Sequence, residues 1–449
     1  MARRRFGHPV GTDPLERDIE VAFDPGEYIG WREMAQFIRD LEHVAASIND
    51  VVLSGDVGRG VQLYEAFIAG CHLKANEIDD SSGHFSGLVT HLVRSWIRAR
   101  QVAKADPLET ARTLYDWHDR DDYGYFSWIE RMSVDALDSA GVAAFEQVAR
   151  ERYEQARSAP PSDNKVPFSR SVDATADGLR TILAATDNLD SYRELCQQTE
   201  TTAKDCLILA GMHERRAQPA EALAWVEQGL AAAEANRNQD MAELELSNLR
   251  LKLLRALGRA DEAIAAAWRK FEDAPSGDRF ATLMEYVPDA NKPTWKEKAF
   301  AHAERAPIDG LIDLCTATHE WARLAARLQQ ANDDELTGLF YGRMIPAAEG
   351  LAAEYPDAAA RLYVVLADQI LTAKKAKAYH HALDYLAAAK DCLLRAGAAD
   401  LWEQLVARLR KQHRLKSAFM PELEQIVAGQ WPQHRPSFLE KAKKEWQGR

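Results

Sequence analysis

Apolar positions recur along this chain at helical spacing almost from end to end. Trp31, Met34, Phe37, Ile38, Leu41, Val44 and Ile48 return every three or four residues, with Arg32, Glu33, Arg39, Asp40 and Glu42 among them. A helix over residues 30–49 with one buried face follows from that spacing. Leu88, Leu92, Trp96 and Ala99 repeat the pattern. Asp106 before Pro107 predicts a helix start, because the carboxylate can accept from the first free amides and proline lacks a donor that would go unpaired there. In the first part of the chain the pattern predicts helices near 30–49, 58–78, 84–104, 108–120, 126–139 and 142–157, and no stretch alternates with period two for long enough to suggest a sheet.

One break interrupts the periodicity. Ser158-Ala159-Pro160-Pro161-Ser162-Asp163-Asn164-Lys165-Val166-Pro167 joins paired prolines to turn formers, which no helix interior accepts. It predicts an N-terminal helical lobe over 1–157, a proline-rich linker over 158–168 and a helical repeat region over 169–449. Alanine shifts across the break, from 23 in residues 1–200 to 47 in residues 201–400, so the later helices are expected to pair closely.

That later region carries a weak internal repeat. Arg216-Ala217-Gln218-Pro219-Ala220-Glu221-Ala222-Leu223 and Gly258-Arg259-Ala260-Asp261-Glu262-Ala263-Ile264 share a turn, a Glu-Ala step and an apolar face, and Tyr379-His380-His381-Ala382-Leu383 is a looser third copy. A methyl at Ala222, Ala263 and Ala382 suits two helices crossing closely, where a larger side chain would wedge them apart. The stretch from Leu251 and Leu254 through Gly258-Arg259, Asp261-Glu262-Ala263 and on to Pro275 resembles a tetratricopeptide repeat, although the step from Ala222 to Ala263 is 41 residues and the signature tryptophan is missing. Tyr28-Ile29-Gly30-Trp31-Arg32, Ile78-Asp79-Asp80-Ser81-Ser82-Gly83-His84 and Gly124-Tyr125-Phe126, taken with the Gly-Arg-x-Asp-Glu-Ala hairpin, are similar to an uncharacterised bacterial group and to the helical region that follows the zinc finger of SWIM-type proteins. The finger itself is absent, Cys71-His72 standing without partners at the required spacing. The resemblance implies an all-α scaffold of tetratricopeptide-like hairpins, an α-solenoid.

Composition and charge narrow the function classes. The chain has 449 residues, with 24 glycines, 17 prolines and a formal charge of -13, a balance that does not favour coating nucleic acid with the bulk of the surface. Two regions run the other way: Arg3, Arg4 and Arg5 at the start, and residues 404–449, which hold ten Lys and Arg against four Glu. Nucleic acid is therefore expected only through these basic termini. No apolar run approaches the roughly 20 residues of a spanning helix, and no apolar segment follows the basic start, so no membrane association is expected and the cytoplasm is the expected compartment. Five scattered cysteines without a C-x-x-C pair read as reduced core thiols.

Candidate chemistry is sparse. Asp79-Asp80-Ser81-Ser82-Gly83-His84, with His91 two helical turns on, and Asp116-Trp117-His118-Asp119-Arg120-Asp121-Asp122 both sit at predicted turns. If the turns met, Asp79, Asp80, His84, His91, His118 and Asp119 could ligate a divalent metal or exchange protons; as separate turns they would cap helices and face solvent. A calcium loop fails at Thr90, where a bidentate Glu is needed. Ser54-Gly55-Asp56-Val57-Gly58-Arg59-Gly60 lacks the lysine of a phosphate loop. His319-Glu320 opens like a zinc-protease helix, but Arg323 stands where the second histidine belongs. No cofactor is indicated. The leading expectation is a non-enzymatic scaffold for a protein or peptide partner, with a metal-dependent enzyme or regulator and a nucleic-acid binder as alternatives.

Overall fold

The computed structural model describes residues 13–23, 28–159, 171–236, 241–373, 376–430 and 446. Among them the chain is helical apart from turns, short 3-10 segments and one isolated parallel bridge between Ile29 and Ile78. This is the all-α chain of helical hairpins that the periodicity predicts. It forms two compact units, Met1–Leu246 and Ser247–Arg449, and the division falls inside a helix. The expected linker lies outside the described residues from position 160 onward, and the helices before and after it pack on each other within the first unit.

The first unit contains α1 (Pro14–Phe23), α2 (Met34–Leu53), α3 (Val57–Lys74), α4 (His84–Val102), α5 (Pro107–Asp119), α6 (Ile129–Ala136), α7 (Ser139–Ser158), α8 (Val172–Ala185), α9 (Leu189–Gln198), α10 (Ala203–Arg215) and α11 (Pro219–Asn236), and α12 (Met241–Ala256) carries the division. Its core is rich in rings: Phe37, Tyr64, Phe67, Phe85, Trp96, Tyr115, Phe145, Tyr153 and Tyr192 are buried. Met34, Phe37, Ile38, Leu41 and Ile48 form the buried face of α2 as expected. Trp31 does not join them; it stands in the preceding turn, 63% exposed. The cause is the bridge, in which Ile29 donates to the Glu77 carbonyl and accepts from the Asp79 amide, so the chain is still extended there and the helix starts four residues late. Asp106 caps α5 through the Leu108 amide, with Pro107 in the first turn, as expected.

The second unit continues with α13 (Ala260–Asp273), α14 (Gly277–Tyr286), α15 (Lys292–Ala303), α16 (Ile308–Thr318), α17 (Trp321–Gln330), α18 (Asp333–Thr337), α19 (Tyr341–Leu351), α20 (Pro356–Thr372), α21 (Tyr379–Arg395), α22 (Ala399–His413) and α23 (Met420–Val427). Here alanine lines the helix contacts: Ala358, Ala359, Ala360 and Ala367 on α20 and Ala382 and Ala389 on α21 are all buried. Long cations close exposed helix ends. Arg361 donates to the Leu328 and Ala331 carbonyls after α17, Arg279 to those of Lys270 and Ala274 after α13, and Lys390 to those of Ile426 and Val427 on α23. Each supplies donors to the orphan carbonyls that every helix leaves at its C-terminus.

The hairpins in both units share one turn. A residue with positive φ follows the helix, and the next amide donates back to a carbonyl five residues earlier, as Ala105 does to Arg100, Asn188 to Leu183, Gln218 to His213, Arg259 to Leu254 and Ala398 to Leu393. The left-handed residue is Gly258 or Gly397 in two of these turns but Lys104, Asp187 and Ala217 in the others. Glycine adopts this conformation freely, whereas a side chain there costs about 1 kcal/mol.

A candidate site in the first unit

The first of the two Asp/His turns is a helix start. The Asp79 carboxylate accepts from the Ser81 amide at 3.1 Å, and Asp80 accepts from the Phe85 and Ser86 amides, both at 2.9 Å. Both carboxylates thus serve the turn that opens α4. His84 and His91 line an open groove of about 790 Å³ together with Glu42, Ala45 and Asn49 of α2. The second turn faces a different cavity, which His118 and Asp119 line. Tyr125 lies between the turns: its ring meets Phe85 edge-on at 5.2 Å, and burial, aided by Asp80 and Asp121, pushes its phenol up to about 12. Among the described residues no group of three or more His, Cys, Asp or Glu is placed to hold a metal ion.

The cavity around the second turn measures about 600 Å³. Its walls come from the end of α5 (Tyr115, His118, Asp119), the loop through Asp121, Asp122, Gly124 and Ser127, the start of α6 (Glu130), the middle of α7 (Ala149, Arg152) and the first half of α8 (Thr175, Asp177, Gly178, Thr181). Arg152 anchors the floor. Its guanidinium holds both oxygens of the nearly buried Asp119 at 2.9 and 2.7 Å and lies 4.6 Å over the Tyr115 ring, which itself stacks on Phe145 at 4.7 Å. Burial opposes the charge on Arg152, but its hydrogen bonds and attraction to Asp119 outweigh that and raise its pKa. His118 Nδ1 is buried 3.7 Å from Asp119 Oδ1, beyond hydrogen-bond reach.

The remaining carboxylates differ in what they hold. Asp121 accepts from the Tyr123, Gly124 and Phe126 amides at 3.1, 3.1 and 2.7 Å and so sets the loop. Asp177 pairs with Arg180 at 2.9 Å. Glu130 is different: apart from its own backbone amide it has no hydrogen-bond or ion-pair partner among the described residues, and burial pushes its carboxyl above the usual range against the through-space attraction of His118 and Arg152. Sequence reading found His118 and Asp119 but missed Tyr115, Glu130, Arg152 and the α8 residues, which reach the cavity from other helices. One local signal existed. Gly178 stands inside α8, and a Cβ there would come within 2.7 Å of Glu130 Oε1.

The other candidate chemistry is accounted for locally. In the basic segment over 408–416, Arg408 pairs with Asp368 at 2.9 Å, Arg410 grips Glu424 at 2.6 Å, and Lys416 donates to the Leu371 carbonyl. Residues 3–5 and the end of the chain from 431, Trp446 apart, lie outside the described residues. The five cysteines are buried and free, and burial pushes their thiols up, Cys206 to about 11 and Cys315 to about 12. No described helix is long and apolar enough to cross a membrane.

Residues 24–422 match the model of a family of unknown function, DUF6880, and the chain belongs to that family. A comparison with curated proteins finds no match. Among solved structures the chain is similar to that of Naa15/Naa10 bound to HypK-THB, at 11% identity and TM-score 0.31, covering 88% of this chain and 67% of that one. It is similar to the TPR domain of P58(IPK), at 14% identity and TM-score 0.20, covering 87% and 98%. A circular tandem repeat protein with novel repeat topology aligns at 12% identity and TM-score 0.20, covering 93% and 95%. The helices themselves establish the fold class.

Proposed function

We propose that this protein is a non-enzymatic interaction scaffold, and that its first unit docks a polypeptide partner at the cavity among α5, α6, α7 and α8. The observation that supports this reading is the cavity itself: polar side chains from four helices and a loop converge on about 600 Å³ of open space, the size range of a site for a few ligand groups. The kinship with the helical region of SWIM-type proteins belongs to the same proposal and carries no finger chemistry with it.

A photo-crosslinking residue at Ser127, on the cavity wall, tests the reading in the native host's lysate. It should capture a defined partner that the same probe at Arg193, outside the cavity, does not. Thr181→Trp, which fills the cavity from α8, should abolish the capture. Identical products at the two positions, or capture unaffected by the tryptophan, would refute docking at this site.

A further inference from the structure

The carboxylates of the cavity are not equally satisfied, and the imbalance has a chemical sign. Asp119, Asp121, Asp122, Glu130 and Asp177 face it, against Arg152 and His118. Arg152 is matched by Asp119, Arg180 by Asp177, and Asp121 is held by backbone amides. Glu130 keeps a largely buried carboxyl with no countercharge bonded to it among the described residues. A buried carboxylate without a partner costs stability, and a glutamine or leucine would remove that cost.

A second, independent feature converges on the same atom. Gly178 lies inside a helix, where glycine costs about 1 kcal/mol relative to alanine. Its missing Cβ is what leaves room for Glu130 Oε1, at 2.7 Å from where that carbon would stand. Two locally unfavourable choices, on two different helices, thus keep one carboxylate inside a cavity. Such choices concentrate where a site is prepared for a ligand.

We propose that the cavity receives a single arginine or lysine side chain of the partner polypeptide, with Glu130 as its ion-pair acceptor. His118 and Arg152 attract Glu130 only through space, so an incoming guanidinium or ammonium supplies the bonded countercharge it does not have, and a charge-assisted pair inside a cavity is stronger than one at the surface. The remaining acidic rim disfavours an anionic segment. This inference rests on the docking reading above and adds the chemistry of what docks.

The test uses the immobilised full-length protein and pentapeptide pools with random flanks around a fixed central residue: arginine, lysine, citrulline or glutamate. Citrulline keeps the shape of arginine and removes its charge. Retention of the arginine and lysine pools should exceed that of the citrulline and glutamate pools at least tenfold. Glu130→Gln should lower it about tenfold while unfolding stays cooperative. Equal retention of citrulline and arginine, or no effect of Glu130→Gln, overturns the inference. If a non-basic pool is held and Thr181→Trp releases it, docking stands and the charge assignment fails. If Thr181→Trp changes the retention of no pool, docking fails with it. Spermidine is the control for a free polyamine: its binding to wild type without retention of any basic peptide overturns the assignment to a polypeptide.

Discussion

The helices α5 to α8 and the pair α20 and α21 solve the same packing problem in opposite ways. Both α20 and α21 bury many methyl groups, Ala358, Ala359, Ala360 and Ala367 on one and Ala382 and Ala389 on the other, beside leucines and a ring pair, Tyr363 on Tyr385 at 6.2 Å, and small side chains let two helices lie close. Between α5 and α7 the contacts are rings and an ion pair: Tyr115 on Phe145, Arg152 on Asp119. Large planar groups stack well with each other but fit a helix surface less evenly, and the space left beside them is the cavity. Small side chains give a stiff spacer. Large ones, locked by a salt bridge, give a floor with room above it.

The comparison can be broken most sharply at Ala382, which is 0% exposed. Ala382→Glu forces a charge into the methyl-lined contact and should cost about 4 kcal/mol or more; an unchanged denaturation midpoint would mean that the contact is loose. Arg152→Met should cost about 3 kcal/mol, because it leaves the nearly buried Asp119 without its bidentate partner. The same variant should lose the near-ultraviolet signal of Tyr115, and retention of both stability and signal would show that the floor does not depend on the pair.

Glu130→Gln should act in the other direction. Burial raises the folded-state pKa of Glu130 above its reference of 4.5, so the folded chain holds a proton that the unfolded chain has already released. That contribution is complete below about pH 4.5 and is lost as pH rises through the folded-state value. The variant should therefore be more stable than wild type at pH 7 by about 1 kcal/mol, with the difference closing as pH falls toward 4.5. A difference independent of pH would place the carboxyl in water. The smallest effect concerns the shared turn: Ala217 has φ +54° where Gly258 has +72°, so Ala217→Gly should stabilise by about 0.5–1 kcal/mol and Gly258→Ala should destabilise by as much. Equal effects of one sign would show that backbone strain is not what separates them.

Much of the fold was legible because helical periodicity and capping are local. The buried stripes of α2 and α4, and the Asp106-Pro107 start of α5, are readable within a few residues. Trp31 was misplaced because the bridge that detains Ile29 involves Ile78, distant in sequence. Among the described residues four of the eight turns of this kind carry a glycine, Gly55, Gly258, Gly397 and Gly429, to announce them. Of the residues weighed as metal ligands or helix caps, Asp80 accepts from the first turn of α4 and Asp79 holds the turn before it, while His118 and Asp119 face a cavity. Glu130 and Arg152 were invisible, since nothing in their own neighbourhoods marks them.

The sequence by itself determined that this protein is built of helices, which faces those helices bury, and where alanine lets them approach closely. These follow from interactions across three or four residues. Only the tertiary structure decided which carboxylates are capped, paired or left alone, because a countercharge comes from another helix: Arg152 reaches Asp119 from 33 positions away, and Gly178 makes room for Glu130 across the linker region. Electrostatic satisfaction depends on through-space distance and burial, and one-dimensional order records neither.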